Sequence, residues 1–181
     1  MFFTEVSNMK EMCLMTGKTH IALGVLIGTS YGMHTAYDIS SFAGIIGTTA
    51  LFSIVPDICH AGSKLGKKIW PISSLIALIF GHRTLTHSIF FMLLTGILLI
   101  VLNVNTIYVI SAVIGVISHL LLDMLTPRGV TLFFPINKKI VFPFTFKTGG
   151  ILDLSLATTF SVLTMYLFYT EMFHRTLVWL N

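Results

Sequence analysis

Charge is scarce in this chain. Only 10% of its 181 residues are Asp, Glu, Lys or Arg, while 55% are hydrophobic and the mean hydropathy is +0.90. An ordinary soluble domain carries about 25% charged residues. The deficit excludes a soluble globule, and equally a disordered or collagen-like chain. Two cysteines, Cys13 and Cys59, give no disulfide framework. No internal repeat, low-complexity tract, P-loop, dinucleotide fingerprint or Ser-His-Asp nucleophile elbow is present, and nothing points to nucleic acid. No cleavable leader is legible, because Met1 to Thr16 carries Glu5, Lys10 and Glu11 and lacks a continuous apolar run.

What is present is apolar sequence in membrane-sized pieces. Five stretches read as spans: Ile21 to about Tyr37, Phe42 to Val55, Ser88 to Leu102, Ile107 to Leu122 and Ile151 to Tyr169. Several fall short of about 20 residues, which interfacial polar ends or local bilayer thinning accommodate. Ile69 to Phe80 contains Pro71, Ser73 and Ser74 and is too short to span, so it reads as re-entrant or interfacial. Thr131 to Phe146, with prolines around Asn137-Lys138-Lys139, reads as a hairpin or loop. Residues 1–14 form an extension that lies on the membrane as an amphipathic strip or is not translated, Met15 being a second possible start; residues 15–181 then form one membrane-embedded domain. The expected fold is an all-α polytopic helix bundle embedded in a membrane.

Threading five spans from the N-terminus puts ten of the 11 basic residues on one side, leaving Arg175 on the other. By the positive-inside rule that side is cytoplasmic. The same threading gathers ionisable residues at that face: His20, Asp57, His60, His82, His87, His119, Asp123 and Asp153. Such groups are costly in a membrane and face the bundle interior, paired or functional. Spacing agrees. His20, Gly24, Gly28 and Gly32 recur every four residues, as do Thr49, Ser53 and Asp57, then Ser111, Gly115, His119 and Asp123, then Asp153, Ala157 and Ser161. Residues four apart share a helix face, and small residues mark close helix contacts in membranes. His87, Phe91 and Thr95 make a poorer stripe.

Each feature alone has a plainer explanation: a helix-end histidine satisfied at the interface, a glycine stripe that only packs, lysines (Lys64, Lys67, Lys68) that anchor to headgroups. Convergence changes the balance, because eight such residues at one depth repel or protonate unless a cation sits among them. Imidazole plus carboxylate suits zinc first, with manganese or iron(II) also fitting, as one ion backed by orienting carboxylates or as two ions. Asp57, His60 and Asp123 are candidates for ligand or base, and Arg83 for gripping an anionic substrate group.

The motifs Thr19-His20-Ile21-Ala22, Pro56-Asp57-x-x-His60, His82-Arg83-x-x-Thr86-His87-Ser88 and His119-x-x-Leu122-Asp123-x-x-Thr126-Pro127-x-Gly129 resemble the YdjM-like family of LexA-regulated, membrane-bound, metal-dependent hydrolases. The resemblance covers about Thr16 to Asp153. Two departures stand out: Cys59 replaces the second Asp of an Asp-x-Asp-His pattern, and Thr148-Gly149-Gly150 replaces a Glu ahead of Asp153. The His/Asp pattern is more remotely similar to zinc-dependent phospholipase C enzymes. The resemblance implies a metal-dependent hydrolase of a lipid-linked, phosphoester-type substrate. The alternatives are a divalent-metal transporter, which favours mid-membrane ligands and inverted repeats, and a membrane protein with a purely structural metal.

The charge asymmetry yields a direct test. Reporter fusions at Gly62 and Lys138 should report the cytoplasm and a fusion at Asn181 the outside. An external signal at Gly62 or Lys138 would overturn the five-span threading.

Overall fold

The computed structural model describes residues 16–59, 85–136, 138–147 and 149–180. The extension 1–14 and the stretch Ile69 to Phe80 lie outside the described residues. Among the described residues the protein is built from five α-helices: α1 (Gly17–Thr35), α2 (Ile39–Phe52), α3 (Ile89–Val101), α4 (Thr106–Met124) and α5 (Ile151–Leu180). A 3-10 turn at Val55–Cys59 follows α2. The segment after α4 is a loop, as expected, closed by one antiparallel bridge between Val130 and Ile140.

Local chemistry sets most of the boundaries. Asp38 caps α2 in a capping box, its carboxylate taking the Ser41 N–H while the Ser41 hydroxyl reaches back. α2 therefore starts ahead of the apolar run at Phe42 that marks it in the sequence. Ser88 and Asn105 cap α3 and α4 through their side-chain oxygens. The tight α3–α4 connection places Asn103 at φ 55°, a left-handed conformation that asparagine tolerates. α5 runs 30 residues, well past the expected end at Tyr169.

Three segments are long and apolar enough to cross a membrane: Ile39–Asp57, Thr106–Met124 and Ile151–Glu171. α3, with 13 residues, rises about 20 Å, short of a hydrocarbon core of about 30 Å. α1 has the same 19 residues as α4 but carries Lys18, His20 and the glycine stripe. It lies against α2, α4 and α5.

α4 is the central helix: 56% of its span is buried, against 6% of the α5 span. It packs on α1, α2 and α3, whereas α5 packs chiefly on α1. The interior holds a few aliphatic side chains, among them Ile45, Val116 and Leu120, and an unusual number of small polar ones. Thr19, Thr29, Thr49, Ser53, Ser111, Ser118 and Thr126 are buried, while Leu94, Ile97, Val162 and Tyr166 point outward. This inverts the soluble arrangement, because lipid replaces water as the outer solvent. Most of these hydroxyls are satisfied by carbonyls about one turn back, as in Thr49 to Ile45 (2.9 Å) and Ser111 to Ile107 (2.8 Å).

The stripes read from the sequence are the contact faces in α1 and α4: Gly24, Gly28 and Gly32 are buried, as are Ser111, Gly115, His119 and Asp123. A Cβ on Gly115 would stand 2.6 Å from the Thr49 carbonyl oxygen and 3.0 Å from the Phe52 Cβ. The α5 stripe needs correction. Asp153 is buried but Ser161 is exposed. A period of 3.6 drifts off a four-residue spacing within two turns, and the inward positions run instead through Leu156, Ala157, Phe160, Thr164 and Leu167.

Gly115→Ala should destabilise the protein by about 1–3 kcal/mol, since backbone rather than a flexible side chain must move. Gly47→Ala, where nothing lies within 4 Å, should be neutral or slightly stabilising. Thermal unfolding in detergent compares them; equal midpoints would mean that α2 and α4 do not touch as described.

Candidate metal centre

Four helix ends deliver five side chains to one place. His20 lies in the first turn of α1, buried to 1% exposure. α2 ends at Phe52 with Ser53 as its C-cap, and the chain tightens into the 3-10 turn that carries Asp57. The continuous Thr49, Ser53, Asp57 helical stripe is therefore replaced: Thr49 and Ser53 face inward, but Asp57 arrives through the turn. Pro56 accounts for the break, since its ring has no N–H and clashes with a continuing helix. His87 precedes the extended N-cap Ser88 (φ −135°, ψ 160°), so it stands off the end of α3 and not on a stripe with Phe91. His119 and Asp123 lie one turn apart at the end of α4.

The donors form two overlapping groups, His20–Asp57–His119 and His87–His119–Asp123; within each, one ligand atom per residue lies within 4.8 Å of the others. His87 Nε2 is 3.1 Å from His119 Nε2 and 3.2 Å from Asp123 Oδ2, while His119 Nε2 is 3.6 Å from that oxygen. His20 Nε2 is 3.4 Å from Asp123 Oδ1. Asp57 Oδ1 lies 3.6 Å from His87 Nε2 and 3.9 Å from His119 Nε2. The His20 ring stacks on His119 with centroids 4.1 Å apart.

One hydrogen bond sets the chemistry of this group. His119 Nδ1 is 2.8 Å from the Ser53 carbonyl oxygen. A carbonyl only accepts, so Nδ1 carries the proton, and in the neutral ring Nε2 presents a lone pair. That lone pair faces His87 Nε2 and a carboxylate oxygen. His87 Nδ1 lies 3.0 Å from Thr86 Oγ1, a hydroxyl that can donate or accept, so this contact sets the direction of the ring but not its tautomer. Ligand imidazoles are typically held through their other nitrogen in this way. Buried His20 Nδ1 has no hydrogen-bond partner among the described residues. Nitrogen and carboxylate oxygen donors converging away from water fit a divalent cation.

Asp153 stands outside both groups. Its carboxylate accepts from the Gly149 N–H (2.8 Å), the Thr16 N–H (3.2 Å) and the Thr19 hydroxyl. It fastens the start of α5 to the first turn of α1, next to His20. His60, His82 and Arg83 lie outside the described residues. His34, to which the sequence assigned no role, is exposed. Sequence reasoning missed the Ser53 carbonyl, which has no side-chain signature. It also missed Thr86 and Thr19, although both sit inside the histidine motifs.

A membrane-embedded helical bundle with a buried His/Asp cluster is thus the class that fold and site define. The chain belongs to the YdjM inner membrane protein family, whose model matches residues 15–180, and it is an inner-membrane protein with several candidate spanning helices. YvsG of Bacillus subtilis (strain 168) is 35% identical over 168 residues, covering 88% of this chain and 98% of that protein. Inner membrane protein YdjM of Escherichia coli (strain K12) is 38% identical over 115 residues, covering 59% of this chain and 57% of that protein. No solved structure matches.

The geometry separates ligands from supports. The double variant His119→Ala, Asp123→Ala should lose most bound metal while remaining in the membrane, and should melt earlier because binding contributes to folding. Asp153→Asn should keep its metal but lose about 1–3 kcal/mol of stability, since buried donors lose their acceptor. Elemental analysis and melting of both proteins decide; metal lost from Asp153→Asn would make that residue a ligand.

Proposed function

We propose that this protein is a metal-dependent hydrolase embedded in the membrane, acting on a lipid-linked phosphoester at the cytoplasmic leaflet. The observation that carries the reading is the facing pair of imidazole nitrogens, His87 Nε2 and His119 Nε2, 3.1 Å apart beside Asp123. With His119 Nδ1 donating to Ser53, its Nε2 lone pair takes either a proton on His87 Nε2 or a cation shared with Asp123, and the further donors aimed at the same point, His20 and Asp57, favour the cation. His20, Asp57, His87, His119 and Asp123 would hold it, with His60 and His82 as further candidates from their motifs. Zinc suits the donors best, and manganese or iron(II) remain compatible.

One ion accounts for the cluster better than two. Both groups contain His119, and its ring has a single lone pair left once Nδ1 donates to Ser53. At metal–nitrogen distances of about 2.0–2.1 Å, donors around one four-coordinate ion stand roughly 3.4 Å apart. The separations from 3.1 to 3.9 Å bracket that value.

A divalent cation there would supply Lewis acidity toward water and a phosphoryl oxygen. The chain's own residues would do the rest. Ser53 holds His119 in the tautomer whose Nε2 can ligate, and Thr86 orients the His87 ring. Asp57 is the most accessible of the five, 15% exposed against 0–1% for the others, so substrate would enter on its side. There its carboxylate, or His60, is available to take a proton. Arg83, adjacent in sequence to His82, would grip the anionic group. The ligands' position at helix ends, not at mid-span breaks, favours hydrolysis over transport.

Purified protein, metal-loaded and chelator-stripped, should be screened against phospholipids and generic phosphodiesters. Turnover is expected only with metal. Arg83→Lys should keep the metal and lose about 10- to 100-fold in turnover, the loss of one bidentate charge-assisted contact. Metal-loaded protein that hydrolyses none of these would sink the hydrolase reading.

A further inference from the structure

The loop after α4 has a composition that neither the fold nor the metal cluster requires. From Thr131 to Lys147 it contains no acidic residue and three lysines, Lys138, Lys139 and Lys147, all exposed. Its apolar side chains are turned outward: Phe144 is 83% exposed, Ile136 65% and Phe133 53%, with Val141 and Phe142 also exposed. Large exposed apolar groups concentrated in one short segment mark an interaction surface and not chance.

The loop is nevertheless firmly held. The Val130–Ile140 bridge closes it through hydrogen bonds of 3.0 and 2.8 Å. Gly129 sits at φ 60°, where a Cβ would come 2.5 Å from the Ile140 oxygen, so the loop closes on a position that only glycine fills comfortably. The Phe142 N–H bonds the Met124 carbonyl (2.9 Å) and the Phe146 N–H the Leu125 carbonyl (3.1 Å). The Ile89 N–H bonds the Leu132 carbonyl (2.9 Å). The loop is thus tied to the C-terminal end of α4 and the N-terminal end of α3, beside Asp123 and His87.

We propose that this loop is an interfacial anchor, with its aromatic and aliphatic tips in the headgroup–acyl boundary and its lysines among anionic lipid headgroups. The ends of membrane helices lie at that depth, and the loop is bonded to two of them. Apolar side chains flanked by lysines are complementary to an anionic bilayer surface, where each lysine contributes an attraction equivalent to roughly fivefold in binding. A second copy meeting loop to loop would set lysine against lysine with no acid to answer. The assignment rests on membrane embedding and is independent of the hydrolase reading. It gives the cluster a fixed depth beside a zone enriched in anionic headgroups.

The test is a single-tryptophan protein carrying Trp70→Phe, Trp179→Phe and Phe144→Trp, reconstituted into mixed phosphatidylcholine and phosphatidylglycerol vesicles. A companion with Ile136→Trp guards against a folding defect in the first. The tryptophan should be shielded from aqueous iodide and quenched by lipids doxyl-labelled near the headgroup. At equal mole fraction, doxyl-phosphatidylglycerol should quench at least several-fold more effectively than doxyl-phosphatidylcholine. The ratio should fall toward one in Lys138→Gln, Lys139→Gln, Lys147→Gln. Strong iodide quenching without lipid quenching would place the loop in water and overturn the proposal. So would equal quenching by the two lipids with the lysines intact, or shielding that disappears on diluting protein into lipid, which would assign the surface to a second copy.

Discussion

The arrangement depends on the hydrogen bond between His119 Nδ1 and the Ser53 carbonyl. A helix leaves its last carbonyls without intrahelical donors, and at fully buried Ser53 no water stands ready to take one. Ser53 is the C-cap of α2, and the imidazole of α4 answers its carbonyl. The bond requires α4 to lie almost on the α2 backbone, which Gly115 permits. The same serine is where α1 closes in, since a Cβ on Gly24 would come 2.6 Å from Ser53 Oγ. Three helices therefore meet at one residue, and the ring that satisfies the helix end is thereby fixed in the tautomer that a cation needs.

Much of this was legible in the sequence because glycine and serine have few other reasons to recur every four residues in apolar helices. The α1 and α4 stripes predicted the contact faces, and the histidines and aspartates at their ends predicted the cluster. The pattern failed where helical geometry stopped. Asp57 and His87 sit just beyond helix termini, so no helical register describes them, yet both reach the cluster because the turn after Pro56 and the cap at Ser88 re-aim the chain. Asp153 was in the right place for a misleading reason: an acid at a helix start, near the others in depth, whose oxygens are taken by Thr16, Thr19 and Gly149. Backbone carbonyl and amide partners leave no trace in side-chain identity, and these decide which acids and imidazoles remain available to a ligand.

The polar interior follows from the same economy. With lipid outside, aliphatic side chains gain little by turning inward, so the inner face mixes a few of them, such as Ile45, Val116 and Leu120, with residues small enough for backbones to approach. Threonine and serine serve because most of their hydroxyls return to a carbonyl of their own helix, as at Thr49, Ser111 and Ser118, while Thr19 reaches across to Asp153.

α5 joins this bundle through a narrow contact. Only 6% of its span is buried, it packs chiefly on α1, and its buried acid binds Thr19 of that helix and the N-cap Thr16. All five clustered residues precede it in the chain, from His20 to Asp123. During synthesis the N-terminal portion is available to fold first. The histidines and aspartates can thus be gathered while the last helix is still inside the ribosome or the insertion machinery. When α5 emerges, it meets a formed surface and docks by filling the donors at the start of α1. Biogenesis then has a natural order, with assembly of the His/Asp cluster completed before closure of the bundle.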